Sequence, residues 1–411
     1  MAVIRPFRAL RPDCVSADQV ASVPYDVVNR HEAYELAKDF PNSYLRITRA
    51  EIELPESVNP YSAEVYTKAK ENLERIKKDA PLITESKPCF YLYRLIMGEQ
   101  EQTGIAATFS VDDYENNVIL KHEKTRREKE DDRTNHIIST EAQTGPVFLT
   151  YRRVSEISDA VERIKNEEEP LYDFTAPDGI VHTVWIVPEA FNNIIISGIA
   201  RTSSLYIADG HHRAASAARA CRLKRELNLN HTGNEEYNYF LAVLFPAEEL
   251  RIMPYNRVVF DLNGKSEREF ITAVSTFFTV EETGVAEPKE KATFSMYMHK
   301  KWYTLRANDN VKPGKSIGEN LDVSILQNYL LHPVLGIDDP RTSKRIDFIG
   351  GIRGTGELEQ LVDSGKAAVA FSLYPVSLGN LMDISDAGEI MPPKSTWFEP
   401  KLRDGLLVHL I

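Results

Sequence analysis

Ser203-Ser204-Leu205-Tyr206-Ile207-Ala208, then Asp209-Gly210-His211-His212-Arg213, then Ala214 through Leu223: the reading of this run decides the fold. Its first part reads as a short apolar strand and its alanine-rich last part as a helix. Five small or polar residues turn the chain from one to the other. Strand, tight turn and helix in immediate succession point to an α/β protein of the mixed α+β kind. The junction also has chemistry of its own. A helix begins with N–H groups that have no partner inside the helix and with a partial positive charge, so a Gly-containing turn before it suits a phosphate. Arg213 would hold phosphate oxygens in bidentate fashion, while His211 and His212 could donate, accept or bind metal. The plainer alternative is that Gly210 merely makes the turn and the histidines satisfy backbone carbonyls.

Outward from this run, the chain alternates helical and extended patterns. Ser16 with Gln19, and Asn29 with Glu32, read as helix starts separated by Pro24. Ala63, Tyr66, Ala69, Leu73 and Ile76 recur every three or four residues, which predicts an amphipathic helix over 60–79. Phe90–Met97 and Thr103–Val111 form a hairpin across Gly98-Glu99-Gln100, and Val147–Tyr151 is a further strand. Ser155–Asn166 is helical, and Asp178-Gly179 turns into the strand Ile180–Val187. Leu241–Phe245 is an apolar strand. Helices at Ser266–Phe278, Asp322–His332 and Thr355–Ser364, with a strand at Ala367–Tyr374, belong to a C-terminal domain. His122–Thr144 mixes Arg126, Arg127, Lys129 and Arg133 with Glu128, Glu130, Asp131 and Asp132, so it reads as a solvated loop or helix face, or as a functional loop.

The whole chain has 411 residues, 42% hydrophobic and 27% charged, with a net charge of −12. That length holds two or three domains, each able to bury a core. An acidic balance gives no long-range attraction to nucleic acid or to anionic membranes, and neither is expected as a partner. Cys14, Cys89 and Cys221 are too dispersed for a disulfide framework or a zinc site. No signal-peptide pattern and no run of about 18 apolar residues occurs, so a soluble, cytoplasmic protein is expected.

Two other segments can carry chemistry. His122-Glu123-Lys124-Thr125 contains a carboxylate able to act as general base toward a hydroxyl, though as four ordinary polar residues it also reads as surface charge. Met391-Pro392-Pro393-Lys394-Ser395-Thr396-Trp397-Phe398 offers a cation, two hydroxyls and amides fixed by prolines, which suit either an anion or a packed aromatic loop.

Tyr206 through Arg213, with the helix that follows, resembles the phosphate-binding motif of the ParB/sulfiredoxin superfamily. Within it the chain is most similar to the free L-serine kinases, which have a His-Glu pair, an Asp-Gly-His-His-Arg turn and a Pro-Lys-Thr-Thr loop in that order. Here the order is His122-Glu123, Asp209–Arg213 and Pro393-Lys394-Ser395-Thr396. From Pro6-Phe7-Arg8 and Pro24-Tyr25-Asp26-Val27 to Glu399-Pro400-Lys401-Leu402, the chain also resembles a widespread family of this length catalogued as a domain of unknown function.

The resemblance implies a ParB/sulfiredoxin-like catalytic region over 1–264, with an insertion between the His-Glu and Asp-Gly-His-His-Arg motifs. It implies an α/β domain over 265–411 that contributes the 391–401 loop, with the active site between the two. It further implies phosphoryl transfer from ATP, ADP or pyrophosphate to the hydroxyl of free L-serine, with Mg²⁺. Glu123 would be the base, His122 its orienting partner, and His211 a stabiliser of developing charge. Asp209, Gly210, His211, His212, Arg213, Lys394, Ser395 and Thr396 would hold the donor, with Arg133 available to a donor such as pyrophosphate. Tyr255 and Arg257, in Met253-Pro254-Tyr255-Asn256-Arg257, would hold the substrate, and Asn256 stands where many members of the longer family have His. Metal ligands and oligomeric state are left open. The alternative is a ParB-like nucleotide switch without a metabolite acceptor. A sulfiredoxin-type reductase is disfavoured because histidines stand where its turn needs a cysteine.

Overall fold

The computed structural model describes residues 1–79 and 82–411. The protein is mixed α/β and divides into two compact units. The first comprises Met1–Lys121, Thr125–Leu250 and Pro400–Ile411, and the second His122–Lys124 and Arg251–Glu399. The sequence reading divides the chain at 264/265. By packing, the chain passes to the second unit after Leu250, because Tyr255–Val259 pairs with Ile346–Gly350 and Val369–Leu373.

The first unit is built on a mixed sheet that runs from Ile119–Leu120 through Leu205–Asp209, Val147–Tyr151, Tyr239–Pro246, Gln100–Ser110, Tyr91–Met97 and Val181–Ile186 to Tyr172–Thr175. Val147–Tyr151 runs parallel to Tyr239–Pro246, and Ile119–Leu120 parallel to Leu205–Asp209. Tyr239–Pro246, in the middle of the sheet, is buried at every position, as a strand covered on both faces is. The hairpin closes across Gly98-Glu99, and its second strand begins at Gln100, earlier than the polar Gln100-Glu101-Gln102 suggests. The expected helices form at Ala63–Asp79 and Ser155–Glu167, and Asn29 with Glu32 closes a capping box on Arg30–Ala37. At Ala17–Val20 the helix starts where expected, but the Ser16 hydroxyl donates to Asp13 instead of capping it.

The charged stretch after Lys124 is a helix, Arg127–Thr140. It buries Asp132, Thr134, His136 and Thr140, so one side of this mixed-charge segment is interior. Tyr66 donates to Asp132 at 3.1 Å, and the His136 ring meets the Ile47 carbonyl at 3.0 Å, which gives these two buried groups partners. This helix packs on the helix His211–Leu227, where alanines allow close approach. The last segment, Pro400–Ile411, returns to this unit. Its Leu402, Leu406, Leu407 and Val408 are all buried, and His409–Leu410 pairs with Ala142–Gln143.

The second unit holds an antiparallel sheet in the order Phe278–Glu282, Lys301–Ala307, Thr293–Met298, Val369–Leu373, Tyr255–Val259 and Ile346–Gly350. A capping box at Ser266 and Glu269 opens the helix Glu267–Val274, and Phe278 already belongs to the first of these strands, packed edge-on against Phe294. Asp322–Leu326 is α-helical and passes into a wider turn, Gln327–Leu331, with i→i+5 bonding. Trp397–Glu399 pairs with Arg251–Met253. Among the described residues, no helix is long and apolar enough to cross a membrane.

Candidate functional site

In the first unit the strand Leu205–Asp209 shifts register against Val147–Tyr151 between Ile207 and Asp209, a bulge that re-aims the chain as it enters the turn. Gly210 takes φ +90°, and a Cβ there would meet the Val147 Cα at 3.4 Å. Only glycine adopts this conformation without strain. The helix then starts directly, at His211. The Asp209 carboxylate accepts from the Gly210 amide at 2.8 Å and from Lys401 Nζ at 2.8 Å. Burial raises its pKa, but Lys401 and Arg213 outweigh burial and hold the carboxyl well below the usual carboxylate range. Asp209 is therefore a fixed anion that ties Lys401 to the turn. Nε2 of His212 accepts the Arg126 amide at 3.0 Å, which places the proton of the neutral ring on Nδ1. His211 is buried at the helix start.

Arg213 is committed inward. Its Nη1 donates to the Pro146 carbonyl at 2.6 Å and its Nη2 to Asp26 at 3.2 Å, with the guanidinium 5.8 Å from the Tyr25 ring. Arg133 lies 4.2 Å from the same ring and donates to Asp132 and to the Thr48 carbonyl. Both arginines line a cavity of about 30 Å³ with Tyr25, Gly145 and Asp404, room for about one water. Asp404 is fully buried, and burial pushes its carboxyl up to about 7 against the pull of Arg213.

In the second unit, the Met391 amide donates to the His122 carbonyl at 2.8 Å, and the His122 side chain is buried while Glu123 is half-buried. The loop that follows Met391 is pinned from several sides. Arg257 Nη2 donates to the Lys394 carbonyl at 3.0 Å, and Ser395 Oγ to the Pro392 carbonyl at 2.6 Å. Lys394 sits at φ +56°, with its Nζ 5.2 Å from the Tyr255 ring centre. Tyr255 meets Trp397 edge-on at 5.1 Å, and a Cβ on Gly350 would strike that indole at 2.7 Å. Thr396 is half-buried beside them.

The structure thus brings Asp209, Gly210, His211, His212, Arg213 and Arg133 together in the first unit. In the second it gathers Tyr255, Arg257, Lys394, Ser395 and Thr396 at one loop, with the His122 carbonyl bonded to Met391 at the start of that loop and Glu123 in the same unit. Sequence reasoning missed Lys401 and Asp404. Lys401 closes the Pro-rich segment already singled out, and its position in that segment was the available signal. Asp404 has none, because its partners lie in Tyr25, Arg133, Gly145 and Arg213, far away in the chain. Among the described residues no three or more His, Cys, Asp or Glu side chains are grouped as a metal site.

A family model described as "Protein of unknown function (DUF1015)" matches residues 4–324. No curated protein matches the chain in sequence. Among solved structures, the chain is similar to a conserved hypothetical protein from Pyrococcus furiosus, with 14% identity, TM-score 0.37, and coverage of 75% of this chain and 95% of that one. It is similar to a free serine kinase in complex with AMP, with 13% identity, TM-score 0.35, and coverage of 74% and 91%. It is also similar to C-terminally truncated SbnI from Staphylococcus aureus, with 12% identity, TM-score 0.38, and coverage of 74% and 87%. Likeness at this level speaks for neither activity nor substrate.

Proposed function

The chain belongs to the DUF1015 family, and we propose that it is a small-molecule kinase that phosphorylates the hydroxyl of free L-serine from ATP, ADP or pyrophosphate. The observation that carries this reading is the Asp209–Arg213 turn. A bulged strand ends there, a left-handed Gly210 lets the backbone close up, and a 17-residue helix begins beside Lys401. That arrangement suits a phosphoryl group, and the order of the His122-Glu123, Asp209–Arg213 and Pro393–Thr396 segments supports the kinase reading over simple anion binding.

In the proposed reaction Glu123 takes the hydroxyl proton as the serine oxygen forms its bond to the terminal phosphorus, and the bond from that phosphorus to the donor's bridging oxygen breaks. His122 orients Glu123. The helix amides with His211 and His212 stabilise the charge on the transferring group, and Lys401, held by Asp209, adds a cation. Arg213 supports the turn from behind through Asp26 and Pro146, and Arg133 braces the same tyrosine. Lys394, Ser395 and Thr396 contact donor phosphates, the serine through its backbone because its hydroxyl is engaged. Tyr255 and Arg257 hold the acceptor. Any Mg²⁺ arrives on the donor's phosphates.

Phosphorus NMR of the protein with Mg²⁺ and L-serine, run separately with ATP, ADP and pyrophosphate, tests this. O-phosphoserine is expected with one donor, and Glu123→Gln is expected to cut turnover roughly 10²–10⁴-fold with donor binding retained. Phosphate release from nucleotide without any phosphoserine would replace the kinase by a nucleotide switch, and unchanged turnover in the variant would remove Glu123 as the base.

A further inference from the structure

Arg403 stands in the segment that returns to the first unit and is only 5% exposed. Its Nη2 donates to the Asp178 carboxylate, and its Nε to His182 Nε2 at 3.1 Å. A guanidinium N–H only donates, so the imidazole accepts there, and its Nδ1–H donates to the Tyr93 hydroxyl at 2.9 Å. Two of the three guanidinium nitrogens are thus fixed by partners. The third, Nη1, makes no hydrogen bond to the described residues, yet it is not sealed in and keeps accessible surface.

Arg403 lines a cavity of about 320 Å³ that lies within the first unit and has the size of a small-molecule site. Ser43 lines it too and is 5% exposed; its amide donates to the Phe40 carbonyl at 3.1 Å, while its hydroxyl has no partner among the described residues and keeps accessible surface. Val23, Leu45 and Phe174 supply apolar wall, and Leu36 and Phe40, each 47% exposed, extend it outward. Apolar side chains left open around a cavity mark a surface for something else to cover. Charge decides what. Asp178 already meets the Arg403 charge, and Asp18, a second carboxylate on the wall, has no ion pair among the described residues. The wall is therefore net negative, which disfavours an anion, while Arg403 Nη1 still asks for an acceptor.

We infer that this cavity binds an uncharged small molecule with an apolar body and a carboxamide, its carbonyl oxygen on Arg403 Nη1 and its N–H on Ser43 Oγ. The body covers Leu36, Phe40 and Phe174. A carboxylate of the same shape would meet Asp18 and Asp178, and an ammonium would set a cation against Arg403 while supplying no acceptor to Nη1. None of these residues takes part in the proposed phosphoryl transfer, so the binding stands independently of it. The two are neighbours in the chain, however. Lys401, which holds Asp209, comes two residues before Arg403, and the Asp404 amide donates to the carbonyl of Ser22, another residue of the cavity wall, at 2.9 Å. The ligand thus takes hold of the segment that braces the phosphate turn.

Ligand-detected NMR of the full chain with phenylacetamide, phenylacetate and phenethylamine, three probes of nearly one shape, tests this. The amide is expected to bind, and each charged probe to bind at least roughly tenfold more weakly. Either charged probe binding as tightly as the amide, or no binding of the amide, overturns the site, and this comparison needs no variant. Phe40→Asp, at a position already half open to water, is expected to weaken the amide roughly tenfold. Arg403→Lys, which keeps the charge and loses the planar fork, is expected to do the same, with circular dichroism melts reporting that the fold is kept. An unchanged affinity in both variants would place the amide elsewhere on the chain and overturn the inference. So would displacement of the bound amide by L-serine or by pyrophosphate, which would assign it to the site already described.

Discussion

The Asp209 and Asp404 carboxylates are both under the influence of Arg213, yet they are held in opposite states. Lys401 sits 2.8 Å from Asp209 and keeps it ionised; at Asp404 burial outweighs the more distant arginines, and the carboxyl titrates at about 7. An unfolded Asp titrates near ~3.9, so between about pH 4 and 7 the folded protein holds a proton that the unfolded chain has released. Asp404 therefore makes stability fall as pH rises through this window. His182 and His136, buried and lowered to about 3 and about 4, do the opposite: the unfolded chain takes up their protons below about 6.5, so stability rises with pH up to there. Asp404→Asn removes only the first effect, and its melting temperature relative to the parent is expected to climb between about pH 5 and about pH 8. A constant difference would mean that Asp404 is ionised throughout. At this scale the sequence displays residues that cluster in a motif, such as Asp209 to Arg213. It hides those made important by burial: Asp404 is one acid among many until the fold seals it beside Gly145, where a Cβ would come within 2.6 Å of its oxygen.

Elements whose stability is local were legible before the structure. The helix Ala63–Asp79 has its apolar face at helical spacing, the box at Asn29 and Glu32 states its own start, and Val147–Tyr151 opens on three consecutive apolar residues. Elements whose reason for existing is tertiary were not. Arg127–Thr140 looks solvated because its interior side is Asp132, Thr134 and His136, polar groups whose partners Tyr66 and Ile47 come from elsewhere. The strands Thr293–Met298 and Lys301–Ala307 mix hydroxyl, aromatic and charged residues, and only cross-strand pairing orders them. The junction of Leu205–Asp209 with its helix depends on one local conformation. Gly210→Ala puts a side chain at φ +90° and against Val147, and is expected to cost about 1–2 kcal/mol in urea unfolding, along with weaker donor binding. Unaltered stability would show that the turn relaxes to another conformation.

At the scale of the molecule, the first unit is assembled from three stretches of chain, and its last twelve residues are separated from the rest by Arg251–Glu399 of the second unit. Nothing local announces that return, since the bridges Leu10 to Val408 and Ser22 to Asp404 join opposite ends of the sequence. Ending the chain after Glu399 deletes Leu402, Leu406, Leu407 and Val408, each at most 4% exposed, and leaves Asp209 without Lys401. At about 1.5–3 kcal/mol per buried aliphatic side chain, the loss rivals the roughly 5–15 kcal/mol that holds a domain together. Calorimetry of this truncation is expected to lose the first unit's transition and keep one for the second, whose core around Val258, Trp302 and Leu358 is intact. Loss of both would show that the second unit does not stand alone. The same threading sets a timetable during synthesis. A ribosome must translate residues 251–399 before it reaches the segment that completes the earlier unit. At roughly 5–20 residues per second the nascent chain spends about 8–30 s with an unfinished, sticky interior, which makes it a natural client for chaperones that shelter emerging polypeptides.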